Sequence, residues 1–255
     1  MIQRLVTSNP SPAYVKRVAS AFNNNGANVR GDLKAVWMAI LLDDEARNPA
    51  TVASTSFGKL REPMLRFIQW GRSFGLTSVD DAWKMFDTSD AANQLGQSPL
   101  HSPSVFNFFR PGFVPPGTEL AKTQTPAPEF QLVNETTVGG YLNFLQDRIR
   151  YGIYTGNTKV PQLTNGEPYT ATINANYAKE MAIVTDTAAL VRRMNLILCA
   201  GQLSAATQNI IVTALNQKAL PPATAAAVDI ENAKLDRITT AILLTMACPE
   251  YLIQK

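Results

Sequence analysis

Histidine is almost missing from this sequence: His101 is the only one among 255 residues. That scarcity removes most of the usual catalytic apparatus. A Ser/His/Asp triad needs a histidine beside a nucleophile. The neighbouring Ser102 and Ser104 stand too close along the chain to act as its activated partner. There is no G-x-S-x-G elbow, no Walker A loop and no G-x-G-x-x-G turn. Cysteine is scarce as well. Cys199 and Cys248 form no CxxC pair, and with one histidine they make no standard zinc set. No metal and no cofactor is implied.

Charge is low and balanced. Charged residues are 17% of the chain and the net charge is +3, with no basic stripe of the kind that tracks phosphates. The clusters Lys59/Arg61/Arg66 and Arg192/Arg193 read as solvated helix faces, so no nucleic-acid partner is expected. No apolar run approaches the roughly 18 residues that cross a bilayer. The first residues, "MIQRLVTSNPSP", lack the apolar core and small-residue cleavage site of a secretory signal. Ile2, Leu5 and Val6 follow helical spacing from the first residue, as expected of a segment taken from a longer protein.

What is present is a chain that is 45% apolar and long enough to bury a substantial core. That balance excludes a disordered tail and a highly charged coiled coil. The pattern predicts a mainly α fold: one irregular multi-helix domain over 1–255, with long Pro/Gly-rich loops and a C-terminal three-helix bundle. Residues 1–75 read as helical, 76–130 as loop-rich and 131–255 as helical again.

In the first part, Ser11 caps a helix with Pro12 at its first position, an apolar face of Val15, Val18, Ala19 and Phe22, and a stop at Gly26. A second helix carries Leu33, Val36, Trp37, Ile40 and Leu41 on one face. A third, "KLREPMLRFIQWGRSFG", tolerates Pro63 in its first turn. In the loop-rich part, short helices are expected at Asp81–Phe86, Ala91–Gly96 and Ser104–Phe108.

A strong helix then runs from Glu135 to about Gly152, facing inward with Val138, Tyr141, Leu142, Leu145 and Ile149. A polar loop with a short extended piece at Tyr169–Ile173 follows. The bundle helices start at caps Asp186, Ser204 and Asp229, and the last ends at Pro249 before a final turn, Pro249–Gln254. In an up-down-up bundle the first and third helices run parallel. Cys199 and Cys248 close those two helices, so a disulfide between them is geometrically allowed; two buried free thiols are the alternative.

The stretch "LHSPSVFNFFRPGFVPPG" combines His101 with Phe106, Phe108, Phe109, Arg110 and Phe113. Four large apolar rings exposed together would make an adhesive patch. The loop therefore reads as a hydrophobic plug locked into the helical core, with Arg110 satisfying carbonyls or one carboxylate. The rival reading is a ligand pocket edged by His101. Carboxylates at Asp43/Asp44/Glu45, Asp80/Asp81 and Asp87/Asp90 single out no catalytic pair and read as caps and turns. Oxygens in "FDTSD" resemble a calcium loop, without its glycine and terminal glutamate.

At this loop the chain resembles a known family. "SPLHSPSVFNFFRPGFVPPGTELA", then "APEFQLVNETTVGGYLNFL", is similar to a large bacterial family, domain of unknown function 1800. "IQRLVTSNPSPAYVKRVASAF", "GDLKAVWMAILLDDEAR", "GKLREPMLRF", "MNLILCAGQLS" and "AILLTMACPEYLIQK" follow the same family in the same order. The resemblance implies the C-terminal half of a typical member, preceded elsewhere by a half with a motif like "NENYARELLELHTLG". It also implies a mostly helical protein exported from the cytoplasm to the periplasm or cell surface. Genes of the family often neighbour those of an exported family with alkaline-phosphatase/sulfatase-like character. The family has no agreed catalytic residues, so none is carried over, and His101 lies just outside the "SPSVFNFFRPG" core.

Two functions follow. One is an exported helical scaffold or interaction module that binds a partner protein or its own N-terminal half, and self-associates when isolated. The other is a hydrolase-like enzyme using carboxylates and Arg110, completed by the missing half. A flat apolar face favours the first, and a deep pocket with convergent carboxylates the second.

Overall fold

The computed structural model describes residues 1–78, 81, 83, 85–154 and 173–255. In chain order the elements are α1 Ile2–Leu5, α2 Pro12–Asn23, α3 Leu33–Leu41, α4 Asp44–Arg47, β1 Lys59–Leu60, α5 Pro63–Ser73, β2 Thr77–Ser78, α6 Glu119–Lys122, α7 Glu135–Tyr151, β3 Ile173–Asn174, α8 Ala178–Met181, α9 Thr187–Cys199, α10 Ala205–Asn216, α11 Ala227–Ala247, α12 Pro249–Leu252 and β4 Ile253–Gln254. Turns of 3-10 helix occur at Pro49–Ala53 and Pro128–Leu132. The fold is mainly α.

Helix starts follow local chemistry. The Ser11 hydroxyl accepts the Tyr14 N–H and Pro12 occupies the first helical position. Asp32, Asp186 and Ser204 cap α3, α9 and α10 in the same way. Asn134 and Thr137 satisfy each other's backbone N–H groups at the start of α7. One cap differs from expectation. Helix α11 begins at Ala227, after Ala226, and Asp229 sits inside its first turn, where its charge complements the free N–H groups.

The chain divides into two compact units. The first comprises Met1–Arg61, Pro103–Val133 and Ile253–Lys255. Its apolar centre is small: Ile2, Tyr14, Val36 and Ile40, with Leu5, Val6, Val18 and Ala46 beside them. The Tyr14 hydroxyl donates to the Ile40 carbonyl, and its burial pushes the phenol up to about 12. Strands β1 and β4 pair antiparallel, with Lys59 opposite Gln254 and Leu60 opposite Ile253. Beneath them the Lys59 ammonium lies 3.7 Å from the Glu129 carboxylate, both side chains almost wholly buried.

The second unit, Glu62–Ser102 and Asn134–Leu252, holds the main core. Helices α9, α10 and α11 pack against one another, α7 lies along α11, and α5 packs on α9. Trp70, Leu145, Leu190, Met194, Ile238 and Ile242 fill the centre. The Trp70 indole N–H donates to the Tyr177 hydroxyl at 3.1 Å, which donates to the Ile149 carbonyl at 2.9 Å, so two buried polar groups are satisfied in series. Strand β2 pairs antiparallel with β3, Ser78 opposite Ile173.

Several expected elements are replaced. Residues 91–96 and 104–108 form turns, not helices. At the first, Asp90 accepts the N–H groups of Ala92 and Asn93, the local bonding that competes with helix. At the second, Asn107 takes a positive φ of 65°, which no helix continues. The expected helix at 81–86 includes Ala82 and Lys84, outside the described residues, and Asp81, Trp83, Met85 and Phe86 are not helical. Residues 155–172, with most of the expected extended piece, also lie outside them.

The inward faces of α2 and α3 change too. On α2 the buried residue is Tyr14, while Val15, Ala19 and Phe22 are exposed. On α3 only Val36 and Ile40 of the expected face are buried.

Candidate functional site

The loop 100–117 does not act as one piece. His101 belongs to the second compact unit, and Phe106, Phe108, Phe109, Arg110 and Phe113 to the first. The expected plug is not formed. Phe106 is 60% exposed and Val105 97%, and Phe108, Phe109 and Phe113 are only half-buried. The Arg110 guanidinium stacks over the Phe106 ring at 5.3 Å instead of meeting a carboxylate, and Arg4 covers Phe109 at 6.0 Å. The backbone is held elsewhere. Arg110 donates its N–H to Gln131 Oε1 at 2.9 Å, and Ala127 donates to the Phe113 carbonyl at 2.8 Å. The turns are therefore fixed while Phe106 stays exposed.

His101 has a different setting. Its Nδ1 lies 3.3 Å from Asp87 Oδ2, both side chains about half exposed. Asp87 is itself anchored: Oδ1 accepts the Ser89 N–H at 2.9 Å. Hydrogen bonding, first from the Ser89 hydroxyl, holds Asp87 below the usual carboxylate range. The pair edges a cavity of about 270 Å³ lined by Met64, Phe67 and Ile68 of α5 with Met85, Phe86 and Leu95. Sequence spacing gave no sign of the Asp87–His101 pair. "FDTSD" carries the signature of a turn, and Asp87 and Asp90 serve turns here.

Of the other candidate carboxylates, Asp43 and Glu45 are committed to structure, and Asp80 lies outside the described residues. Asp43 accepts two bonds from Arg17, at 2.6 and 2.7 Å, and caps α4. Glu45 accepts the Ser11 N–H and hydroxyl. Among the described residues no group of three His, Cys, Asp or Glu side chains is placed to hold a metal ion. No described helix is long and apolar enough to cross a membrane.

Cys199 and Cys248 are both buried and unbridged, and their thiols meet at one end of the bundle.

Helix α3 carries a cluster of exposed apolar side chains. Leu33, Trp37 and Leu41 repeat every fourth residue and are 60%, 41% and 47% exposed; Met38 and Leu42 flank them at 52% and 53%. Val36 and Ile40, on the adjoining strip of the same face, are buried and hold the helix to its unit. The sequence marks Leu33, Trp37 and Leu41 as apolar at helical spacing, but spacing alone does not say which way a stripe points.

A family model described as "Protein of unknown function (DUF1800)" matches residues 1–253. No curated protein and no solved structure matches the chain.

Proposed function

The chain belongs to the DUF1800 family, and from that premise we propose that it is a helical interaction module whose α3 face docks into an apolar groove on another protein. The observation that carries this reading is the outward stripe Leu33–Trp37–Leu41, broadened by Met38 and Leu42. Anchors four residues apart are how an amphipathic helix enters a groove. Tryptophan and methionine are enriched at interface centres, and tryptophan carries a large share of binding energy. Leu33, Trp37 and Leu41 keep 60%, 41% and 47% of their surface open, although the adjoining Val36 and Ile40 are buried. The family resemblance adds that the scaffold works outside the cytoplasm.

The triple variant Leu33→Glu, Trp37→Glu, Leu41→Glu tests the reading. The helix content and melting temperature are expected to stay close to wild type, since these side chains face solvent. Co-purification of the native-source partner is expected to fall, with affinity weakened at least ~100-fold. The isolated wild-type chain is expected to self-associate through the same face, and the triple variant to be monomeric in sedimentation. Undiminished partner binding by the triple variant contradicts the proposal.

A second reading, a hydrolase-like enzyme, is favoured by one observation: His101 held against Asp87 beside an apolar cavity. An imidazole so oriented presents its other nitrogen as a general base for water. Under this reading His101→Ala abolishes turnover of small apolar esters without moving the melting temperature. Absence of turnover by wild type across such a panel removes it.

A further inference from the structure

We infer that Cys199 and Cys248 are a dithiol that an external disulfide converts into a covalent bridge across one end of the bundle. Helix α9 ends at Cys199, after which Ala200 and Gly201 turn the chain at positive φ values of 51° and 83°. Cys248 directly follows the last residue of α11. The two sulfurs thus sit at the ends of two helices that pack on each other. The Cys248 thiol contacts Cys199 and donates to the Thr245 carbonyl at 3.0 Å. Both sit in the main core, with Cys199 2% exposed and Cys248 9%. Cys248 is the more exposed of the two and is taken as the first to react.

The chemistry balances with a low-molecular-weight disulfide such as oxidised glutathione. The Cys248 thiolate attacks one of its sulfurs, forming a mixed disulfide and releasing one thiolate. Cys199 then gives up its proton and attacks the Cys248 sulfur, closing the Cys199–Cys248 bond and releasing the second thiolate. Two protein thiols are oxidised and one external disulfide is reduced. The hydrogen bond with Cys199 favours the Cys248 thiolate, lowering its pKa. The bridge closes a loop of roughly 50 residues, which restricts the unfolded chain. The contact does not depend on the α3 face, and the bridge is expected to persist in an oxidising compartment.

The test uses the full reduced chain in native buffer, incubated with a mixture of oxidised and reduced glutathione. Intact mass is expected to fall by about 2 Da with no glutathione retained. Peptide mapping is expected to join the Cys199 and Cys248 peptides, and the melting temperature to rise by roughly 5–10 °C. Cys199→Ser is expected to stop at a glutathione adduct on Cys248. The double variant Cys199→Ser, Cys248→Ser is expected to show no change of melting temperature with oxidant. Thiols that stay reduced, separate glutathione adducts on wild type, or a bridge that forms only in denaturant would each overturn the inference.

Discussion

Replacing Glu129 with glutamine is expected to destabilise the first compact unit by roughly 3–5 kcal/mol, the cost of stranding one partner of a buried ion pair. The Glu129 side chain is 1% exposed and that of Lys59 2%. Glu129 Oε2 accepts the Ser8 hydroxyl at 2.8 Å, while Oε1 faces the Lys59 ammonium at 3.7 Å. Lys59 donates to the Arg4 carbonyl at 2.5 Å, so one of its protons is satisfied by the chain's first helix. Glutamine preserves the shape and the Ser8 bond but removes the negative charge that faces the buried ammonium. The cost follows from desolvation, not from the strength of the pair itself. The double replacement Lys59→Met, Glu129→Leu is accordingly expected to recover most of the loss. A double-mutant cycle in urea, read by hydrogen exchange at the β1 amides, measures both. A loss below about 1 kcal/mol for Glu129→Gln contradicts this account of the pair.

The second large effect concerns two adjacent glycines of α7 that respond with opposite sign. A methyl group on Gly140 would lie 2.4 Å from the Ala91 carbonyl oxygen and 2.9 Å from the Ala92 carbonyl carbon and oxygen. These are backbone atoms, pinned by the turn that Asp90 caps, so neither side yields cheaply. Gly140→Ala is expected to cost about 3 kcal/mol, the upper end of ordinary overpacking. Gly139 has nothing within 4 Å of the same position. Gly139→Ala is expected to stabilise by about 0.5–1 kcal/mol, the helical advantage of alanine over glycine. Thermal unfolding of the two variants side by side checks the contrast. Equal shifts of the same sign would show that α7 does not approach the 91–92 turn as described.

The sequence exposes the helices through their caps and stops. Ser11–Pro12, Asp186 and Ser204 each mark a start that the structure reproduces, because capping is decided within three residues. What escaped was set by distant partners. Tyr14 displaces Val15 and Phe22 from the interior of its unit because its hydroxyl reaches the Ile40 carbonyl. Gly140 looks like a weak helical residue until the Ala91–Ala92 turn is laid against it. The Asp87–His101 pair joins two turns, and turns carry no periodicity to reveal their neighbours. The stripe on α3 was visible as apolar, and only its direction was missing.

The central claim, that this outward face is covered by another protein, is tested most directly by oxidative footprinting. Trp37 and Met38 report on the α3 face, each with a side chain that reacts when solvent reaches it. The protein is labelled once in its native-source assembly and once as the isolated chain at low concentration, and oxidation at the two residues is compared with that at the exposed Phe106. The account predicts strong oxidation of Trp37 and Met38 in the isolated chain and protection of both in the assembly. Equal oxidation in the two states would mean that nothing docks on α3, and the interaction reading would fall.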